Sequence, residues 1–292
     1  MTINTNRTIR QALQEAQRRF SAARVAAPAL DARVLLRHAL GVTDADLFLQ
    51  LDDPLPAVPA AAFADVVERR LTGEPVAYLI RRREFYGLDF RVSPAVLIPR
   101  PETELLVEHA IEALPDGARV VDVGTGSGAI AVAVARRRPE VQLLAVDRSL
   151  AACRVALSNV RDHELMDRVN VLCSDLLSAV QAPFHAVLAN LPYLRHDELT
   201  ALATDVQREP QQALDGGPDG LELYRRLLSD LADRRPAPTL VLCEIAPMQA
   251  AAMSALVTAA LPNHRLRVLV DLAGRARLVE ARLEQGVPLP QC

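Results

Sequence analysis

From Arg119 to Arg282, short apolar runs rich in β-branched residues alternate with helical periodicities, and few folds accommodate that alternation. The candidate strands are Arg119–Val123, Val141–Val146, Val169–Leu172, Ala186–Ala189, Thr239–Glu244, Arg265–Asp271 and Arg277–Arg282. Helical patterns fill most of the intervals, as in a parallel sheet whose strands are joined by helical crossovers. The last two strands are separated only by Leu272-Ala273-Gly274. That is too short for a crossover, so this pair is expected to run antiparallel.

The first 80 residues read as short helices instead. Thr8 and Gln11 have capping-box spacing, and Ile9, Leu13, Ala16 and Phe20 share one face of a helix. Further helices are expected over Asp31–Leu40, ended by Gly41, over Asp44–Gln50, and over Ala60–Leu71, ended by Gly73, with Asp53–Pro59 as a connector. Aromatic and β-branched residues around Gly87 predict a hairpin within Glu84–Val92, and Pro101 suits the first turn of the next helix. The expected division is a helical domain over 1–80, a hairpin linker over 81–98 and an α/β domain over 99–292.

Composition removes several function classes. Every one of the 33 basic residues is arginine. There is no lysine for a Schiff base, a pyridoxal-phosphate anchor or a Walker-type phosphate loop. Tryptophan is absent and aromatics make up 3% of the chain, too few for a single-strand stacking platform. A net charge of −3 and a pI of about 6.1 give no basic footprint for duplex DNA. Cys153, Cys173, Cys243 and Cys292 have no paired spacing and the histidines no His-x-x-x-His pattern, so reduced thiols and no metal site are expected. Met1–Phe20 carries four arginines and no apolar core, unlike a secretory signal. The longest apolar run, Gly128–Ala135, is too short to span a bilayer. A cytoplasmic protein without membrane contact is expected.

The first strand of the α/β region runs into Gly124-Thr125-Gly126-Ser127-Gly128 and then a helix. Glycines permit tight turns and close ligand approach, and a helix N-terminus offers free N–H groups. The spacing is Gly-x-Gly-x-Gly and not the dinucleotide fingerprint Gly-x-Gly-x-x-Gly, which lowers the nicotinamide reading. Asp147 ends the second strand, where a carboxylate can accept hydrogen bonds from the ribose of an adenosine cofactor. Asp175, with Leu176 beside it after the third strand, is placed either to reach an adenine amino group or to cap its loop.

Ala186-Val187-Leu188-Ala189 leads into Asn190-Leu191-Pro192-Tyr193. This tetrapeptide resembles the Asn-Pro-Pro-Tyr motif of methyltransferases that act on planar nitrogens. An amide nitrogen is a poor nucleophile because its lone pair is delocalised. Two acceptors gripping its hydrogens, here the Asn190 side-chain carbonyl and the Leu191 main-chain carbonyl, orient it and favour charge build-up. Tyr193 is placed to pack on the amide. The methyl donor would be S-adenosylmethionine, with no metal required. The resemblance implies a class I S-adenosylmethionine-dependent fold, an α/β Rossmann-like sheet of seven strands. Leu191 stands where proline is usual, but it keeps the carbonyl, and Pro192 restricts it to extended geometry.

Other blocks extend the likeness. Gly73-Glu74-Pro75-Val76-Ala77-Tyr78-Leu79, Glu84-Phe85-Tyr86-Gly87, Ile98 to Glu104, Arg208-Glu209-Pro210, Ala213 to Gly217 and Asp271 to Arg275 all resemble the HemK/PrmC family. That resemblance implies methylation of the glutamine in the Gly-Gly-Gln motif of peptide chain release factors, with the helical domain holding the protein substrate. It implies cofactor binding by Gly124 to Gly128, Asp147, Asp175, Leu176 and Asn190, and catalysis and substrate binding by Asn190 to Tyr193. Arg81 and Ala246 replace glycines common in the family and put local turn geometry in question. Arg81-Arg82-Arg83 reads as a solvated turn or a contact for an acidic protein surface; His196-Asp197-Glu198 invites an acid–base role, but the reaction needs none, since an N-methylated amide cation loses its proton readily to water. The competing readings are a methyltransferase for another protein's glutamine, such as a ribosomal protein's, or for DNA adenine, and a noncatalytic adenosine-binding module.

Overall fold

A computed structural model describes residues 7–283; Cys292 and the opening six residues of Met1–Phe20 lie outside the described residues. The chain forms two compact units, one running to Arg81 and including Ala203–Arg208, the other made of Arg82–Leu202 and the chain from Glu209 onward.

The N-terminal unit contains α1 (Ile9–Ala22), α2 (Pro28–Leu40), α3 (Asp44–Leu49), α4 (Ala57–Leu71) and α5 (Val76–Ile80). The capping box forms as its spacing predicts: Gln11 N donates to Thr8 Oγ1 at 3.2 Å and Thr8 N to Gln11 Oε1 at 3.1 Å. Ile9, Ala12, Ala16 and Phe20 then face Leu35, Leu36, Phe63 and Val67 in one core. Helices α2 and α4 start three residues earlier than expected, at Pro28 and Ala57. Pro28 and Pro59 fall in first turns, where a missing N–H costs little. The five-residue α5 is too short for periodicity to reveal. Arg70 is buried and satisfied within this unit, with Nε 2.8 Å from Asp31 Oδ2 and Nη2 3.5 Å from Asp205 Oδ2.

The second unit opens with the expected hairpin, β1 (Arg82–Phe85) against β2 (Leu88–Arg91), followed by α6 (Glu104–Ala113). Then come β3 (Arg119–Val123), α7 (Ala129–Arg137), β4 (Gln142–Asp147), α8 (Leu150–Asp162), β5 (Val169–Cys173), β6 (Ala186–Ala189), α9 (Glu222–Ala232), β7 (Leu240–Glu244), α10 (Ala250–Ala260), β8 (His264–Val270) and β9 (Ala276–Leu283). The last seven strands form one sheet in the order β5-β4-β3-β6-β7-β9-β8. Strands β3 to β7 are parallel, and β9 runs antiparallel between β7 and β8. The α/β, methyltransferase-type sheet expected from the sequence is present.

Both faces of the sheet are buried with period two. Val120, Leu188 and Leu242 face α6 and α7, while Val121, Val187 and Val241 face α9 and α10. The chain steps outward from β3 to β5, then returns to place β6 beside β3. Such a reversal splays the loops that follow the two strands and opens a crevice at their carboxyl ends. Among the described residues, no helix is long and apolar enough to cross a membrane.

Arg81 ends α5 with φ +58, in the left-handed region. The turn is the one a glycine makes freely, here imposed on an arginine. Arg81→Gly is expected to leave stability unchanged or raise it by up to about 1 kcal/mol. A β-branched Arg81→Val should lower it by about 1–2 kcal/mol. Urea unfolding of the two variants checks the opposite signs.

Candidate active site

The carboxyl ends of β3 and β6 open into a cleft of about 970 Å³, counted with its mouth. Gly124, Thr125, Gly126, Ser127, Asp147, Asp175, Leu176, Asn190, Leu191 and Pro192 all line it. Gly128 and Tyr193 do not. Gly128 starts α7 at φ +81, and a Cβ there would lie 3.2 Å from Ala156 Cβ, so its small size serves the packing of α7 on α8. The Tyr193 ring packs on the α9 and α10 side of the sheet, and burial pushes its hydroxyl up to about 12.

The loop after β3 is held from below by main chain and from the side by one carboxylate. Gly124 N and Thr125 N donate to Val146 O at 2.8 and 2.9 Å. Asp147 Oδ2 accepts from Gly126 N at 2.9 Å and Oδ1 from Ser149 N at 2.8 Å. Burial holds the Asp147 carboxyl above its ordinary range despite these bonds. Beneath the loop, Thr125 Oγ1 donates to Asp122 Oδ2 at 2.5 Å. Asp122 Oδ1 has no partner among the described residues, and burial pushes this carboxyl up to about 7. Asp175 lies in the wall but is ion-paired to Arg226, 2.6 Å from its Nη2.

The segment after β6 is fixed group by group. Asn190 Nδ2 donates to Thr103 Oγ1 at 3.0 Å. Leu191 N donates to the Tyr224 hydroxyl at 3.2 Å, and that hydroxyl donates to the main-chain carbonyl of Glu244. The Leu191 side chain is buried, and a Cβ on Gly124 would lie 2.8 Å from its Cδ2. Glycine at 124 therefore lets the two loops close on each other. A Cβ on Gly216 would lie 2.5 Å from Pro192 O, so the Leu214–Gly220 stretch rests directly on this backbone. Leu194 N donates to Leu214 O at 3.1 Å and Gly216 N to Leu194 O at 2.8 Å. Gln249 Nε2 donates to Tyr193 O at 2.9 Å. Two family-like blocks meet at buried Glu209, which accepts from Ile98 N at 2.9 Å and pairs with Arg100. His196 is exposed and bound to Asp215 at 2.9 Å, while Asp197 and Glu198 pair with Arg195; none lines the cleft.

Residues 11–80 match the PrmC N-terminal domain family and residues 101–218 the methyltransferase small domain family. The chain is 42% identical over 273 residues to the release factor glutamine methyltransferase of Moorella thermoacetica, covering 92% of this chain and 96% of that protein. It is 43% identical over 274 residues to that of Cereibacter sphaeroides, covering 93% and 97%. The chain belongs to the release factor glutamine methyltransferase family. Among solved structures, the hMettl16 catalytic domain in complex with a MAT2A 3′UTR hairpin superposes with a TM-score of 0.57 at 17% identity, covering 77% of this chain and 84% of that one. That likeness is one of fold.

Within this glutamine methyltransferase chain, Ala246 needs no glycine geometry, since its φ is −71. Sequence reasoning left Thr103, Asn159, Tyr224 and Glu244 without roles. Asn159 is fully buried and donates from Nδ2 to Ser127 O at 2.8 Å and Arg91 O at 3.0 Å. Its signal was an asparagine on the Ala152, Ala156, Val160 face of a helix, where an apolar residue belongs. Leu191 contributes more than the carbonyl assigned to it, because its N–H and side chain are both engaged. Leu191→Pro matches the motif usual in the family but strips the donor from the buried Tyr224 hydroxyl. It should cost about 1–3 kcal/mol of stability. Denaturant titration checks this, with Tyr224→Phe alone and combined with Leu191→Pro as the non-additive control.

Proposed function

We propose that the chain transfers a methyl group from S-adenosylmethionine to the side-chain amide nitrogen of the glutamine in the Gly-Gly-Gln motif of peptide chain release factors, in the cytoplasm. The observation that carries this is that Asn190 and Leu191 line one cleft together with Gly126 and Asp147. Residues 1–80 are assigned to capture of the protein substrate.

The chemistry of the cleft fits an adenosine-bearing cofactor. Gly126 has φ +55, and beyond its chain neighbours no atom of the described residues lies within 4 Å of where its Cβ would be, so its backbone is open to a ligand. Each Asp147 oxygen holds one main-chain N–H and keeps lone-pair capacity for a ribose hydroxyl. Asp175 or Leu176 would border the base. When bound, S-adenosylmethionine supplies an electrophilic methyl group and a neutral leaving group. Asn190 Oδ1 accepts one hydrogen of the glutamine amide, and the Leu191 carbonyl accepts the other. Gripped in one plane, the nitrogen is oriented, and positive charge building on it is met by two oriented dipoles. The Leu191 side chain excludes water beside Gly124.

Two substitutions separate the halves of the site. Asp147→Ala should weaken S-adenosylmethionine binding by about 1.5–3 kcal/mol by calorimetry. Asn190→Ala should slow single-turnover transfer to a release factor by about a hundredfold to a thousandfold with much less change in cofactor affinity. Wild-type transfer by the Asn190 variant, read by peptide mapping of labelled release factor, would show that Asn190 does not orient the amide.

A further inference from the structure

An asparagine can point either end of its amide at a substrate, and only one end accepts a hydrogen bond. The site described above needs Oδ1 forward, so something behind Asn190 must hold Nδ2 back. Glu244 ends β7, the strand paired in parallel with β6; Cys243 lies opposite Ala189, the residues immediately before Glu244 and Asn190. The Glu244 side chain is 2% exposed and is not part of the cleft wall. The Thr103 and Asn190 side chains lie beside its carboxylate and favour its ionised form. Thr103 Oγ1 also accepts from Asn190 Nδ2. The three groups come from three separate elements: Thr103 and Asn190 line the cleft, and Glu244 lies behind them.

We propose that Glu244 is a positioning residue, its carboxylate acting with Thr103 to take the Nδ2 hydrogens of Asn190 and so lock Oδ1 toward the substrate amide. An ionised carboxylate accepts and cannot donate. Turning Asn190 over would bring Oδ1 against that carboxylate, acceptor against acceptor in a buried place. Bonding at Nδ2 also polarises the amide and strengthens Oδ1 as an acceptor. Tyr224 performs the parallel task for the second grip, fixing Leu191 through its N–H. Because Glu244 lies outside the cleft, it acts through Asn190 and does not touch the reacting atoms.

The lock depends on ionisation. Glu244 Oε2 has no hydrogen-bond partner among the described residues, and burial, only partly offset by Thr103, Arg277 and Asn190, pushes the carboxyl up to about 7. The groups that face it are Glu102 and Thr103 from the turn before α6, Asn190 and Tyr193 after β6, and Arg277 on β9. Tyr224 on α9 meets only its main chain by hydrogen bond. Arg277 favours the ionised form and Glu102 opposes it. Once protonated, Glu244 carries an O–H that can donate, and the preference for one amide orientation disappears. Transfer should therefore fall as pH drops through about 7.

This inference rests on the reading of Asn190 as the amide acceptor, and the test separates the two. Glu244→Gln should lower single-turnover transfer about ten- to a hundredfold with cofactor affinity unchanged, and its rate should lose the limb near pH 7. Should that variant fail to fold, Thr103→Val removes the other acceptor and should slow transfer, and Thr103→Ser should restore it. In the free protein, the side-chain amide resonances of Asn190, assigned by their loss in Asn190→Ala, should titrate near pH 7 in the wild type and not in Glu244→Gln. Slow transfer in Asn190→Ala beside wild-type rates and an intact pH limb in Glu244→Gln would overturn the role of Glu244 alone. Wild-type rates in Asn190→Ala would overturn the reading of the site, whatever the resonances do.

Discussion

Parallel pairing of β3 with β6, from Val120 opposite Ala186 to Val123 opposite Ala189, ends the two strands at the same level. The meeting of the two loops that follow them depends on that register. The glycine turn after one strand and Asn190-Leu191 after the other emerge side by side, near enough that a methyl group on Gly124 would strike Leu191. A slip of one residue between the two strands would turn Val187 to the face opposite Val121. Packing of two cores on opposite faces therefore secures the register that the site requires.

Holding polar groups in position behind the cleft works against stability. Asp122 and Glu244 are buried carboxyls, each pushed up to about 7, and each retains an oxygen with no partner among the described residues. Their folded pKa values lie above their ordinary ones, so the folded state binds these protons more tightly. Their contribution is favourable at low pH and is lost as pH rises from the ordinary carboxylate range toward 7. At the β8–β9 turn the opposite sign holds. Main-chain N–H groups, with Arg275 and Arg277, lower the Asp271 carboxyl to about 2. The chain thus accepts an unfavourable environment where orientation matters and a favourable one at a turn remote from it.

What was legible in the sequence was local. Strand ends at Val123 and Ala189, the hairpin at Gly87, the capping box at Thr8 and the antiparallel final pair follow from period, turn chemistry and loop length. So do the residues at the mouths of the two loops. The partners behind them were not legible, because they come from far along the chain. Thr103 lies 87 residues from Asn190, and Tyr224 lies 33 from Leu191. No local pattern ranks one buried hydroxyl above another as the mate of a given amide. Insertion of β9 between β7 and β8 was hidden for the same reason, since a short turn fixes which strands pair but not which of them takes the edge.

The N-terminal unit is not contiguous in the chain. Ala203–Arg208 belongs to it, with Asp205 near the buried Arg70, Arg208 donating to Thr72 O at 2.8 Å, and Thr204 packed where Gly73 has no side chain. The polypeptide passes from one unit to the other three times, at Arg81, at Leu202 and at Arg208. As heritable modules, the two stretches therefore form one block. A recombination between relatives that exchanged only the residues before Arg82 would pair Arg70, Thr72 and Gly73 with a strap selected beside a different helix. Domain shuffling at the obvious boundary would in this way break a unit that the linear order of the chain conceals.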